Sequence, residues 1–402
     1  MAATRVAVVG GSIAGCAVAI ELRKVGCQVT VYERSQGELE GRGLGIGVAT
    51  EAFADLVSTG LFDNDLRTRQ TDERAWFVTD GSPTGRVAWR HPHSSRSTNW
   101  GLVWRMLRAK VPDEAYRQPV AVTSVRATTD GALIITEDGE DRYDVVIGAD
   151  GYRSIIRQFI DPGTRPVYAG YALWRGDLAI DQLPEPVPEE LSSALVTVGF
   201  PGGHAVFYLI PDPTSPRTRM NWAVYCAMPD RFQDPTWLPP GSIDHGLLAD
   251  FEKLLTTLPP YWAEVARRTA PESLSLQPIY DHEATRYAAG RLLLAGDAGT
   301  LARPHTGSGV LKAMRDARCL GQVWRDHKTW PAAIATYDEQ RMVEGNAFVE
   351  VGRRLGRAQV EETPPWASMS EEDFQAWFHA VIAGLDNPYK VSTKAEFNTT
   401  AC

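Results

Sequence analysis

The feature that most constrains this chain is its opening: a strand, a glycine turn, a helix and a second strand ending in an acid. Arg5 to Gly10 reads RVAVVG, an apolar, β-branched run of buried-strand length. Gly10-Gly11-Ser12-Ile13-Ala14-Gly15 comes next, leading into an apolar helix from about Ile13 to Val25 that Gly26 closes as a C-terminal cap would. Gln28 to Tyr32 (QVTVY) is the second strand, and Glu33 ends it, 18 residues beyond Gly15. A strand–helix–strand unit of this length implies a parallel sheet.

The same unit implies a ligand. Gly10 makes the tight turn, the middle position lets backbone approach a pyrophosphate, and Gly15 lets helix pack on strand. The pyrophosphate would rest on the helix N-terminus, where free N–H groups and the helix dipole favour an anion. Ser12 occupies the middle position in place of glycine; it is small and can hydrogen-bond phosphate. Glu33 is placed for ribose hydroxyls, and an acid there suits FAD or NAD better than NADP.

Two later segments repeat the texture. Val145-Val146-Ile147-Gly148-Ala149-Asp150-Gly151 is an apolar strand running into a turn, followed by Arg153, Ser154 and Arg157. Leu294-Ala295-Gly296-Asp297-Ala298-Gly299 is another, followed by Pro304, Gly307 and Gly309 at the start of a helix. An Asp at the carboxyl end of a parallel strand borders the ligand crevice and can accept from sugar hydroxyls. The Gly307/Gly309 helix start offers N–H groups to an electron-rich ring edge.

Between these pieces the pattern changes. HAVFYLIP and MNWAVYCAM alternate as antiparallel strands with one wet face do. Val120 to Thr136 reads as a hairpin turning at Asp130-Gly131, and Tyr143 to Ile147 as a strand. Helices are expected near 243–255, 260–268, 308–324, 331–357 and 371–382, with disorder after Lys390. The fold class expected is α/β: a discontinuous Rossmann-like cofactor domain (1–72, 100–166 and 282–345), an inserted antiparallel-sheet substrate domain (73–99 and 167–281), and C-terminal helices and tail (346–402).

Composition narrows the partners. A net charge of −9 and no basic run argue against nucleic acid or an anionic membrane. No apolar stretch is long enough to span a bilayer, and glycines break the N-terminal apolar run that a leader peptide would need, so a cytoplasmic protein is expected. Five scattered cysteines without a CxxC pair give neither a disulfide framework nor a zinc site. His91 and His93 have no acidic or cysteine partner nearby in sequence, so no metal is expected. The oligomeric state stays open between a monomer and a homodimer.

Taken in order, GxSxxG…Glu, GADG and GDA…P..G.G resemble the single-component FAD-dependent aromatic hydroxylases related to para-hydroxybenzoate hydroxylase, over roughly residues 4 to 345. Tyr168-Ala169-Gly170-Tyr171…Trp174-Arg175-Gly176 and Arg303-Pro304-His305…Lys312…Asp316-Ala317 are similar to the 2,6-dihydroxypyridine 3-hydroxylase branch. The resemblance implies that Gly10 to Gly15, Glu33, Arg34 and Arg42 hold the ADP half of FAD. It places Asp150 and Gly151 between FAD and the NAD(P)H route, Gly296 and Asp297 at the ribityl chain, and Pro304, Gly307 and Gly309 at the isoalloxazine. The chain departs from the family in three places: Gly299-Thr300 stand where Ala-His is frequent, Leu311 where Asn is common, and Arg105 is out of register with the arginine usual near residue 100.

The implied reaction reduces FAD with NAD(P)H and then, with O2, delivers one oxygen atom through a flavin C4a-hydroperoxide to a small aromatic or heteroaromatic ring. A base that ionises a ring hydroxyl would help; His305 beside the flavin-edge proline is the first candidate, then the strand tyrosines Tyr208 and Tyr225. Arg175 could hold an anionic substrate or a sheet-edge carboxylate; Phe207 and Trp222 could line an aromatic pocket but read first as core packing. Epoxidase, Baeyer–Villiger or oxidase chemistry on the same fold, or a flavin binder without turnover, are the alternatives.

Overall fold

The computed structural model describes residues 4–229, 231–232 and 237–385, leaving aside the side chain of Arg42. The disorder expected after Lys390 lies outside these residues. Three stretches far apart in sequence build one sheet. Its strands run in the order Ala288–Ala289, Leu292–Leu294, Val145–Gly148, Arg5–Val9, Gln28–Tyr32 and Tyr116–Arg117. Val8 pairs in parallel with Val31 on one side and Ile147 on the other. Strands covered on both faces must be apolar, which is why the central runs of residues 6–9, Val145–Gly148 and Leu292–Leu294 lack polar alternation. The Ile13–Lys24 helix covers the sheet and packs on the Gly309–His327 helix, with Gly321 against Glu21.

The second sheet has eight strands, ordered Ser275–Asp281, Val167–Ala179, Thr218–Ala227, Gly203–Pro211, Ala194–Phe200, Arg69–Val78, Arg86–Asn99 and Gly45–Ala49. Its edge strand Gly45–Ala49 comes from the segment that sequence reading leaves with the cofactor domain. That run is short and glycine-rich, and only its antiparallel pairing with Ser95–Asn99 makes it a strand. The expected strand at Tyr143–Ile147 divides in two. Gly139–Tyr143 joins a three-stranded sheet with Ser124–Ala127 and Ala132–Thr136, and Val145–Gly148 joins the parallel sheet. Asp144 sits at the break and accepts from the Arg5 N–H at 2.7 Å.

The long Trp330–Gly356 helix and the Glu371–Ile382 helix finish the described chain. Ser370 and Asp373 form a capping box at the start of the latter. An aromatic stack, Trp76 on Trp366 at 5.3 Å and Trp89 on Phe374 at 6.0 Å, fastens that helix and the turn before it to the Arg69–Asn99 hairpin.

Burial of imidazoles gives the fold a pH dependence. His204 is 1% exposed and His282 4% exposed, and burial pushes their pKa values down to about 3 and about 4. Unfolded, each would bind a proton below about pH 6.5; folded, neither does until the pH is far lower. Their share of stability is therefore complete above pH 6.5 and is lost as the pH falls, at up to about 1.4 kcal/mol per pH unit for each. In urea titrations between pH 5 and 6.5, a His204→Gln variant should show a shallower slope of stability against pH, by about half a proton at pH 6.5 rising to about one at pH 5. An unchanged slope would refute the assignment.

Candidate active site

A cavity of about 700 Å³ runs from the glycine turn, past the ends of the parallel strands, to one face of the eight-stranded sheet. At its first end Gly10 has φ +105°, and a Cβ there would overlap the Ala149 carbonyl, so two neighbouring strand ends come closer than any side chain allows. A Cβ on Gly15 would overlap the Gly10 carbonyl oxygen, which ties the helix directly onto the turn. Ser12 occupies the N-cap position of the helix but its side chain makes no capping bond. Gly10, Ser12, Ile13, Ala14, Glu33 and Arg34 line the cavity.

Gly11 and Gly15 do not line it. Gly11 is instead locked from behind: its carbonyl accepts from Trp104 Nε1 at 3.0 Å and from the Tyr116 hydroxyl at 2.9 Å. Its N–H donates to Glu33 at 2.8 Å, and the other Glu33 oxygen accepts from Ser35 N–H at 2.8 Å. Glu33 thus holds the turn as well as bordering the cavity. Trp104 and Tyr116 have no short-range sequence signature for this task. The flanking Gly41 and Gly43 line the cavity, while the Arg42 side chain lies outside the described residues.

Midway along, Asp150 accepts from Ile155 N–H at 2.8 Å through one oxygen, while its Oδ1 is buried with no hydrogen-bond partner among the described residues. Burial raises its pKa. A carboxylate oxygen left unpaired on a cavity wall asks for a donor from a ligand. Asp297 lies deep in the recess yet open to it, and burial raises its pKa too. Gly307 and Gly309 line the wall, and a Cβ at either would meet only open space. Any side chain there would occupy room that a bound ring needs. The donor set, the close backbone turn and the vacant glycine wall all fit FAD.

The Asp297 turn rests on buried charges that sequence reading did not single out as a network. Gly296 N–H donates to Asp316 at 2.7 Å and Lys312 donates to the Gly296 carbonyl at 2.6 Å. Arg341 Nε donates to the other Asp316 oxygen at 2.6 Å and also pairs with Glu344, which Arg315 holds at 2.6 Å. Close by, Tyr287 donates to or accepts from Thr300 at 2.7 Å; a Cβ on Gly299 would overlap the Tyr287 ring, and one on Gly345 its hydroxyl. The two family departures at Gly299 and Thr300 therefore make room for, and bind, Tyr287.

At the far end the strand period of two sorts the side chains. Leu173 and Arg175, Val206 and Tyr208, and Asn221, Ala223 and Tyr225 face the cavity. The intervening Ala172, Trp174, Phe207, Trp222 and Val224 face a separate apolar core with Phe251, as the packing reading of Phe207 and Trp222 expects. Arg175 stands opposite Ala223 in register, and Tyr208 opposite Asn221.

His305 is not on the cavity wall, although its neighbour Pro304 is. Its Nε2 bonds the Tyr171 hydroxyl at 2.8 Å, and its ring stacks behind Tyr225 at 4.4 Å and 30°. Burial, then His204 and Arg303, hold its pKa well below the usual histidine value, so it is a neutral imidazole at neutral pH. These facts put the imidazole behind Tyr225 and off the cavity wall: adjacency to Pro304 in sequence does not carry it into the cavity. Of the other two candidates, Tyr208 and Tyr225 both line it, and burial pushes the Tyr208 hydroxyl up to about 12.

A dinucleotide turn on a parallel sheet, opening through one cavity onto an antiparallel wall, defines a flavin-dependent oxidoreductase. The chain belongs to the family described as the FAD binding domain, whose pattern matches residues 3–350, and it is a flavoprotein monooxygenase. It is 27% identical over 366 residues to the 2,6-dihydroxypyridine 3-monooxygenase of Paenarthrobacter nicotinovorans, covering 87% of this chain and 90% of that one. It is 28% identical over 411 residues to the 3-amino-4-hydroxybenzoate 2-monooxygenase of Streptomyces cremeus, covering 95% and 96%. The structure of 2,6-dihydroxypyridine-3-hydroxylase from Arthrobacter nicotinovorans superposes with a TM-score of 0.82 at 25% identity, over 92% of this chain and 97% of that one. Klebsiella pneumoniae HpxO, with FAD and uric acid, shares the fold at a TM-score of 0.74 and 20% identity, over 94% and 92%. Among the described residues no helix is long and apolar enough to cross a membrane.

Proposed function

We propose that this flavoprotein uses NAD(P)H and O2 to insert one oxygen atom into a small hydroxylated aromatic or heteroaromatic compound. The observation that carries the proposal is the single cavity joining the pyrophosphate turn to the Leu173–Tyr225 wall. Relatives named for dihydroxypyridine and aminohydroxybenzoate oxygenation support the substrate class. Acidic composition and the buried thiols of Cys16, Cys27, Cys226 and Cys319, none in a disulfide, support a cytoplasmic setting.

Bound FAD supplies hydride acceptance and the activation of O2. The chain's own residues do the rest. Ser12 and the N–H groups of the Ile13–Lys24 helix seat the pyrophosphate, and Glu33 and Arg34 flank the adenosine side. Asp150 Oδ1 and Asp297 offer acceptors to hydroxyls of the cofactor's chain. Gly307 and Gly309, which line the cavity without side chains, would leave room there for the ring system. Leu173, Val206, Ala223 and Tyr225 present an apolar and aromatic face that keeps water from the substrate ring, as efficient oxygen transfer requires.

The purified protein should be yellow, and NAD(P)H oxidation should rise when the right ring is added from a panel of phenols, hydroxybenzoates and hydroxypyridines. Label from 18O2 should appear in the hydroxylated product, with little H2O2. A protein that retains no added FAD, or whose stimulated NAD(P)H use yields only H2O2 with every ring, would contradict the proposal. Label in an epoxide or a ring-expanded ester would place the chemistry in one of the neighbouring classes.

A further inference from the structure

The Trp330–Gly356 helix ends in a widened π-turn, Arg357–Glu361, which packs on the wall strands Val167–Ala179, Gly203–Pro211 and Thr218–Ala227. Such turns are rare and recur at functional sites. Three consecutive residues of this one reach the surroundings of the cavity. The Gln359 side chain hydrogen-bonds His305, and its carbonyl pairs with His204 Nδ1 at 3.3 Å. Val360 packs with Tyr171, Leu173 and Tyr225. Glu361 accepts from Arg303 Nη1 at 2.5 Å. Arg303 is the joint of the arrangement: its Nε donates to Asp281 Oδ2 at 2.8 Å, and its guanidinium lies over the Tyr171 ring at 5.5 Å. Gly352 and Gly356 make room for it, since a Cβ on either would collide with Arg303. Asp281 gives its other oxygen to Arg353, which also pairs with Glu283 at 2.6 Å.

Arg303 opens the segment that walls the recess: Pro304, Thr306, Gly307, Ser308 and Gly309 follow it along the cavity. Between the Leu301–His282 backbone pair and the helix that starts at Gly309, this segment has one short turn, Pro304–Thr306, and local bonds such as Thr306 to Ser308. A wall with so little structure of its own keeps its place through side chains anchored elsewhere. Resting on the flavoprotein reading above, we propose that Arg303 is a positioning residue: with Glu361 and Asp281 it fixes the Pro304–Gly309 wall where the ring system of FAD fits. It acts through the backbone that it anchors, not on the reacting atoms. The π-turn is the far end of that anchor, so the long helix sets the height of the wall. A guanidinium suits the task because its planar fork donates to two acids on different elements at once, whereas an ammonium is a single point charge.

The test uses the FAD-loaded full chain and reads two signals. One is the FAD dissociation constant, followed by flavin fluorescence on dilution; the other is the visible circular dichroism of the bound flavin, which reports the walls around its ring. Arg303→Met should weaken FAD about 10-fold, the scale of a wall that must be ordered anew on binding, and should change the dichroism. Arg303→Lys should recover part of both, because an ammonium still meets one acid. Glu361→Gln keeps an acceptor oxygen for Arg303 but loses the charge, and should move the same signals less far. Arg353→Met is the control. It strips the other Asp281 oxygen and leaves the Arg303 bond in place, so it should lower the melting temperature while both flavin signals stay at wild-type values. Wild-type signals in Arg303→Met overturn the proposal, as does an Arg353→Met chain that changes them equally. Should Arg303→Met not fold, Glu361→Gln decides: that side chain is 35% exposed, and an unchanged dichroism there overturns the proposal as well. A wild-type chain that takes up no FAD would instead count against the flavoprotein reading itself.

Discussion

An Asp316→Ala variant should lose about 3–5 kcal/mol of folding stability, the cost of breaking a buried ion pair from one side. Asp316 and Arg341 are fully buried and Lys312 is 1% exposed. Without Asp316 two buried cations remain, with Glu344 bonding Arg341 and Asp297 near Lys312 as the remaining acids. The loss also strips the Gly296 N–H of its acceptor, so the turn that presents Asp297 loosens and FAD affinity should fall along with stability. Asp316→Asn keeps an oxygen for that N–H and should cost less. An Asp316→Leu/Arg341→Met pair, which removes both charges, should be less damaging than either single change. Guanidinium titration of the alanine and asparagine variants, the double variant and its two single changes decides the matter. A loss under about 1 kcal/mol for the alanine variant would show that this charge cluster does not hold the turn.

Gly15→Ala should yield a chain that folds poorly and purifies with under about a tenth of the wild-type flavin, because a methyl group has no room and overpacking must be relieved by moving backbone. The atom in the way is the Gly10 carbonyl oxygen, at the point where the Arg5–Val9 strand hands over to the helix. Relief therefore means opening the turn that seats the pyrophosphate, not rotating a side chain. Gly307→Ala provides the contrast. A Cβ at Gly307 meets nothing in the protein, although φ is +60° there and strains any other residue. Its variant should fold and lose cofactor affinity more gently. Flavin-to-protein absorbance ratios report both. A Gly15→Ala protein with full flavin content would disprove the close-packing argument.

How much of this was legible in the sequence depended on the range of the interactions. The strand–turn–helix–strand unit and Glu33 lie within about thirty residues and are specified by local periodicity and glycine geometry, so they read directly. The Asp150 and Asp297 turns read for the same reason. The wall strands were visible by their alternation, but alternation does not say which face meets the cavity; only the register of three strands decides that Arg175 and Tyr208 face it and Trp174 and Phe207 do not. Lys312 and Asp316, four apart on a helix, look like a surface pair until Arg341 arrives from the next helix. Trp104 and Tyr116 reach Gly11 across 93 and 105 residues. His305 misled because neighbours along a chain need not share a direction: Pro304 meets the cavity, while the imidazole turns to Tyr171 and the back of Tyr225.

The packing of Tyr287 into the space vacated at Gly299 and Gly345 has a historical consequence. Thr300 bonds that tyrosine, and any side chain at Gly299 or Gly345 would collide with it. The four positions thus form one steric bargain. A lineage that has accepted the large ring cannot restore bulk at either glycine by single replacements without passing through a misfitted intermediate. Transplanting the commoner Ala-His pair into this chain alone would meet the same barrier, whereas exchanging all four positions together would avoid it.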